Sequence, residues 1–326
     1  MKNRIQYIDT LKGICILWII WYHTAHPEFV NYPFFNTTLF FVSGILFKPY
    51  PINTFLKKKF NQLIVPFFFF YIAYYIFLLC INFAKYRSIE NIASHITDIF
   101  NLYSGNDAFI INYPLWFICA IFVLQIITYI LNLIVKNKTI LVTIAIAISL
   151  LGNYYVQWIP TPIMFGRALP YLIYFIIGYV SKGILLNESS IDKYKKNINF
   201  TCLTTLLISL AFKNIDATYY TNIIYEYIEL ISVSYLLIIL CKEIQNISMI
   251  KAITFFGINS LIVLGLHDMY LTIFMITIQN TIGNMNIILG LLNFVVTCLI
   301  LWPSIIILNK HLPFLVAKKE ILTTKK

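Results

Sequence analysis

The chain has 326 residues, of which 60% are hydrophobic and 11% charged, and its formal net charge is +11. A soluble domain carries about 25% charged residues, so this composition excludes a water-soluble globular fold and points to a membrane. The positive balance does not imply nucleic-acid binding. Its cations sit in short clusters between apolar runs, such as Lys57-Lys58-Lys59 and Lys193 with Lys195 and Lys196, and no basic domain exists to carry that function.

In chain order, apolar windows fall at 13–30, 34–48, 62–84, 113–135, 139–158, 168–185, 198–212, 225–241, 257–279 and 286–308. Each approaches the roughly 20 residues needed to cross a hydrocarbon core of about 30 Å. The second and seventh are short and suit broken, tilted or re-entrant segments. The predicted fold class is all-α, a polytopic integral membrane bundle of about ten transmembrane helices with both termini cytoplasmic. If the loops alternate between faces, the side holding the termini collects all but four of the 24 Lys and Arg residues. The exceptions are Lys85, Arg87, Arg167 and Lys213, and this asymmetry is that of the positive-inside rule. The start of the chain superficially resembles a signal peptide. However, Asp9 and Lys12 immediately precede the apolar run and no A-x-A-like cleavage site follows it, which predicts a retained first helix.

A longer polar loop, 85–112, separates the third and fourth windows. No Pro/Gly/Ser-rich linker, low-complexity segment or internal repeat divides the chain, so residues 1–326 are expected to form a single membrane-embedded domain. Cys15, Cys80, Cys119, Cys202, Cys241 and Cys298 are scattered singly; they read as small buried hydrophobes, without metal spacing or a disulfide framework. High Ile, Asn, Lys and Tyr usage suits an AT-rich bacterial genome, and hence a bacterial cytoplasmic membrane.

The sharpest chemistry lies in the first window. Residues Arg4-Ile5-Gln6-Tyr7-Ile8-Asp9-Thr10-Leu11-Lys12-Gly13 lead into an apolar run that ends Trp21-Tyr22-His23-Thr24-Ala25-His26-Pro27. Lys12 and His23 lie eleven positions apart, which at 100° per residue is about three turns plus 20°, so both fall on one helix face about 16 Å apart along the axis. Asp9 and His26 lie within roughly 60° of the same line. A cationic Lys12 at the cytoplasmic surface suits the phosphates of a coenzyme A donor, with Asp9 orienting or balancing it. His23, deeper in, suits a general base for an attacking hydroxyl, or a covalent carrier of an acyl group. The plainer alternatives are that Lys12 and Asp9 mark the interface and that His23 hydrogen-bonds another helix. Ionisable residues inside a span are costly, which favours a functional His23. His26, beside Pro27, reads as structural or interfacial.

Arg4 through His23 resembles the opening motif of the membrane-bound acyltransferase 3 family, in which a Lys or Arg precedes a histidine with ten residues between. Further segments resemble the family in the expected order: Leu39-Phe40-Phe41-Val42-Ser43-Gly44; Phe55 to Pro66 with its lysine cluster; Pro114-Leu115-Trp116-Phe117; Arg167 to Gly178; and Phe256-Gly257-Ile258-Asn259-Ser260 leading to His267. The resemblance implies an acyl-CoA donor, acetyl-CoA foremost, on the cytoplasmic side, and a glycan or glycolipid hydroxyl as acceptor. It assigns catalysis to His23 and donor-phosphate contact to Lys12. Where many members carry a second basic residue near the start of the third span, this chain has Asn61 and Gln62, with Lys58 and Lys59 as nearby substitutes. The extra extracytoplasmic hydrolase-like domain of some relatives is not expected here.

Other polar residues admit two readings each. His267 and Asp268 fall near the middle of the ninth window, about 100° apart on a helix; either approaches His23 as a substrate-binding group or both stabilise packing. Arg167 suits an anionic acceptor or a headgroup contact, and Trp116 suits sugar stacking or packing. Glu226 and Glu229 share a face and suit acceptor hydroxyls or a solvated helix end. Ser43 and Gly44 suit close helix approach. The expected function is O-acyl transfer to a sugar hydroxyl, with no metal. The alternatives are a transporter or flippase using His23, His267 and Asp268 as relay groups, and a scaffold in polysaccharide export in which His23 is dispensable.

Overall fold

The computed structural model of the protein describes residues 4–25, 34–93, 112–156, 159, 161–215, 219–281 and 287–323. The described secondary structure is helical, with no strand among the described residues. In chain order the principal helices are α1 (Gln6–Ala25) and α2 (Phe34–Ile45), then α3 (Ile52–Tyr86), α4 (Tyr113–Ile134), α5 (Lys138–Val156) and α6 (Pro162–Leu185). They continue as α7 (Glu188–Ile215), α8 (Tyr219–Ile244), α9 (Ile250–Ile258), α10 (Ser260–Thr281) and α11 (Ile287–His311).

Each apolar window coincides with helix, although the boundaries move. Helix α1 starts at Gln6 rather than 13, because Asp9 and Lys12 pair within its first turns instead of ending it. The ninth window is broken at Asn259, whose carbonyl accepts from the Ile262 and Val263 amides at the start of α10. Seven helices among the described residues, α3 to α6, α8, α10 and α11, are long and apolar enough to cross a membrane. Helix α2 is apolar but only 12 residues long, while α1 and α7 are charged in their first halves. The protein is therefore a multi-pass membrane protein built of helices. Helix α11 shows the burial pattern that lipid imposes: Asn293 and Thr297 are buried while Leu291, Leu292, Val295 and Leu299 are exposed.

Two compact units emerge. The first comprises the described residues of 1–19, 32–47 and 173–258. Its helices meet backbone to backbone at small residues. A Cβ placed on Gly13 would lie 2.1 Å from the Ile253 carbonyl oxygen, and one on Gly257 would lie 1.7 Å from that of Asp9, so α1 and α9 cross with nothing between them. Helices α2 and α6 do the same through Gly44 against Phe175 and Gly178 against Phe41. Polar ties hold the unit further: Thr10 to Thr254 at 2.8 Å between α1 and α9, Thr38 to Ser234 at 3.0 Å between α2 and α8, and the Tyr7 hydroxyl to the Leu185 carbonyl at 2.8 Å between α1 and α6.

The second unit comprises the described residues of 20–31, 48–172 and 259–326. Helix α10 packs on α3 where Gly265 admits the Phe70 ring, and the Tyr270 hydroxyl meets Ser304 of α11 at 2.8 Å. Helix α3 contains a π-helical turn at Phe60–Ile64, one extra residue of the kind that re-aims neighbouring side chains.

Candidate active site

In the second unit, the last turns of α1 present His23 to α10. The rings of His23 and His267 lie 5.5 Å apart, centroid to centroid, and are inclined at 46°. His23 is half-buried, whereas His267 is completely buried. Two ionisable rings drawn together on apolar helices are a costly arrangement in a membrane, which makes this pair the candidate site.

The geometry around His267 defines its protonation pattern. Its Nδ1 lies 3.0 Å from the Val263 carbonyl oxygen and 3.1 Å from that of Leu264. Both partners only accept, so Nδ1 carries the proton and donates, and in the neutral ring Nε2 keeps the lone pair. That Nε2 is buried without a hydrogen-bond partner among the described residues.

Asp268, one residue on, turns to a different neighbour, as the 100° helical step requires. It accepts from the Tyr74 hydroxyl of α3 at 2.8 Å, and that hydroxyl also lies 3.3 Å from Thr272 Oγ1. Asp268 thus anchors α10 to α3, while His267 serves the His23 side. Asn112 was not singled out from sequence. It sits in the left-handed region (φ 56°) at the entrance to α4 and is fully buried, with its Nδ2 donating to the Gly265 carbonyl at 3.0 Å. Its only sequence signal is an Asn directly before the Tyr113-Pro114 helix start, a residue type that tolerates positive φ.

In the first unit, Lys12 Nζ and Asp9 Oδ1 form an ion pair at 2.6 Å, one helical turn apart, with 21% and 12% of the side chains exposed. Lys12 therefore keeps part of its side chain exposed, and Asp9 balances its charge. Glu229 is buried at 2% exposure. The solvated reading is thereby corrected for this residue, which faces the interior of α8's packing, while Glu226 is half-buried.

The lysine cluster closes the first segment of α3. Lys58 places its ammonium 3.7 Å from the centroid of the Tyr50 ring, and Lys59 is buried with its ammonium 5.3 Å from the Phe55 ring centroid. Asn61 does not stand in for a cation. Its Nδ2 donates to the Leu322 carbonyl at 2.8 Å, and its Oδ1 accepts from the Ile321 and Leu322 amides at 2.9 and 3.0 Å. Gln62 is exposed.

Arg167 and Trp116 come together. The guanidinium carbon lies 4.5 Å from the Trp116 ring centroid and 5.1 Å from that of Tyr113, and Nη2 donates to the Tyr113 hydroxyl. Ile163 and Met164, with φ of 55° and 57°, make the turn that leads into this segment. Arg167 stacks on Trp116, so a sugar seeking that ring face competes with the guanidinium. His26 lies outside the described residues.

A family model described as an acyltransferase domain matches residues 5–308, nearly the whole chain. Comparisons with curated proteins and with solved structures return no match.

Proposed function

The chain belongs to the acyltransferase 3 family, and on that premise we propose that it moves an acyl group, acetyl foremost, from a cytoplasmic acyl-CoA to a hydroxyl of a cell-surface glycan or glycolipid precursor. The observation that carries this reading is the meeting of His23 and His267 at 5.5 Å within apolar helices. His23 takes the proton of the attacking hydroxyl. Its oxygen bonds to the acyl carbon as the carbon–sulfur bond breaks, and the leaving thiolate recovers the proton. Lys12, held by Asp9, meets phosphate of the donor; Lys58 and Lys59 are further donor contacts carried by α3. Arg167 and Trp116 serve the acceptor. The ten-helix count, the cytoplasmic termini and the bacterial cytoplasmic membrane belong to the same reading, supported by the sorting of the basic residues.

The test compares cell-surface glycans from a deletion strain complemented with wild type or with His23→Ala, by mass spectrometry before and after mild alkali. Membrane abundance of both proteins is measured in parallel. An alkali-labile acyl mass that requires wild type and is lost in equally abundant His23→Ala is the expected result, and its mass identifies the acyl group. An acyl mass that survives His23→Ala removes the catalytic role from that histidine. Movement of a glycolipid across the membrane with no covalent change would replace the enzyme by a flippase.

A further inference from the structure

The residue left with unused chemistry is His267. Its own-helix carbonyls hold the Nδ1 proton, its Nε2 lone pair is buried and unpartnered among the described residues, and the His23 ring is placed against it. An unsatisfied polar atom in a dry interior is costly and calls for a partner or a task. Two imidazoles sharing an N–H···N hydrogen bond have centroids about 5 Å apart, close to the observed 5.5 Å.

We propose that His267 is a positioning residue for His23: as the two rings close from 5.5 Å to hydrogen-bonding separation, its Nε2 accepts a ring N–H of His23, fixes the His23 tautomer, and presents the opposite His23 nitrogen to the acceptor hydroxyl. This rests on the function proposed above and reassigns His267 from substrate contact to support of the base. With that bond made, the chain of contacts runs from the Val263 and Leu264 carbonyls through His267 to His23, and so from the backbone of α10 to the reacting group. It is the logic by which a third group orients a catalytic imidazole, with a second histidine in the place of a carboxylate. During transfer the proton passes from the hydroxyl oxygen to His23 and then to the departing thiolate sulfur. His267 keeps its Nδ1 proton throughout, and no bond to it is made or broken beyond the hydrogen bond.

The experiment uses the full chain in lipid nanodiscs, labelled with ¹⁵N-histidine; the chain has 5 histidines, and His23→Gln and His267→Gln assign two of them. Nitrogen shifts are expected to show His267 protonated at Nδ1 and bare at Nε2, and His23 in one tautomer that becomes a mixture in His267→Ala. A glutamine amide oxygen reaches the place of Nε2, whereas an asparagine amide reaches only that of Nδ1. In native membrane vesicles, coenzyme A release from acetyl-CoA is expected to fall about 10- to 100-fold in kcat for His267→Ala and His267→Asn. The KM for acetyl-CoA stays within about twofold, and His267→Gln recovers much of the rate. A proton found on Nε2 of His267, a His23 tautomer unmoved by His267→Ala, or equal rates in the Asn and Gln variants would each overturn the proposal. If wild type transfers no acyl group, the proposed function fails, while the nitrogen shifts still decide the placement of His267.

Discussion

Asn61 spends three hydrogen bonds on one short stretch of chain, accepting from two amides and donating to one carbonyl at Ile321 and Leu322. It is 2% exposed, so no water replaces these bonds when the side chain is cut back. Asn61→Ala is expected to destabilise the protein by about 1–3 kcal/mol, the range for stranding buried polar groups. Limited trypsin digestion should then cut after Lys318 and Lys319 several-fold faster than in wild type. Asn61→Asp, which keeps the acceptor and loses the donor, should fall between the two. Equal digestion rates for all three would show that the tail is held by something else. The same residue limits what could be inferred from sequence: an Asn beside the lysine cluster gives no sign of a clamp, because that use depends on where the tail folds. Likewise, the sequence put His267 and Asp268 at the depth of His23, but which of them meets it is set by the rotation of α10.

In the first unit, α1 meets α9 and α2 meets α6 through backbone contact at small residues. At Gly257 an added Cβ would stand 1.7 Å from the Asp9 carbonyl oxygen and 2.5 Å from the Gly13 amide nitrogen. No rotamer relieves a clash with backbone, so Gly257→Ala must push α9 from the turn that holds the Asp9–Lys12 pair. The expected cost is about 1–3 kcal/mol, that of forcing extra volume into a packed interior, read as a lower thermal midpoint in detergent. Gly183, whose added Cβ meets nothing within 4 Å, is the control: Gly183→Ala should leave the midpoint unchanged or raise it slightly. A Gly257→Ala midpoint equal to wild type would mean that the α1–α9 crossing is looser than drawn. Hydropathy located these elements because burial in lipid is legible residue by residue. It missed the break at Asn259, which takes a hydrogen bond at 2.9 Å from Asn309, because that bond joins residues fifty positions apart.

For the whole molecule, the seven long apolar helices, the short α2 and the charged starts of α1 and α7 leave the side of each terminus to be argued from charge. Lys and Arg near span ends resist translocation, and their count on short loops sets orientation. With ten crossings, twenty of the 24 Lys and Arg residues share the face of the termini; removing one crossing reverses every later loop, and removing even α7 would put Lys242, Lys251, Lys310, Lys318 and Lys319 on the opposite face from Lys57, Lys58 and Lys59. The even count is therefore the arrangement that charge selects. Fusions distinguish the alternatives: alkaline phosphatase is active only outside the cytoplasmic membrane, and green fluorescent protein exported in unfolded form fluoresces only inside. A fluorescent protein joined after residue 326 should fluoresce, and a phosphatase joined after Arg87 should be active. Phosphatase activity at the C-terminus would require an odd number of crossings if the N-terminus is cytoplasmic; α7, whose first half carries Glu188, Asp192, Lys193, Lys195 and Lys196, would then be the helix to remove from the count.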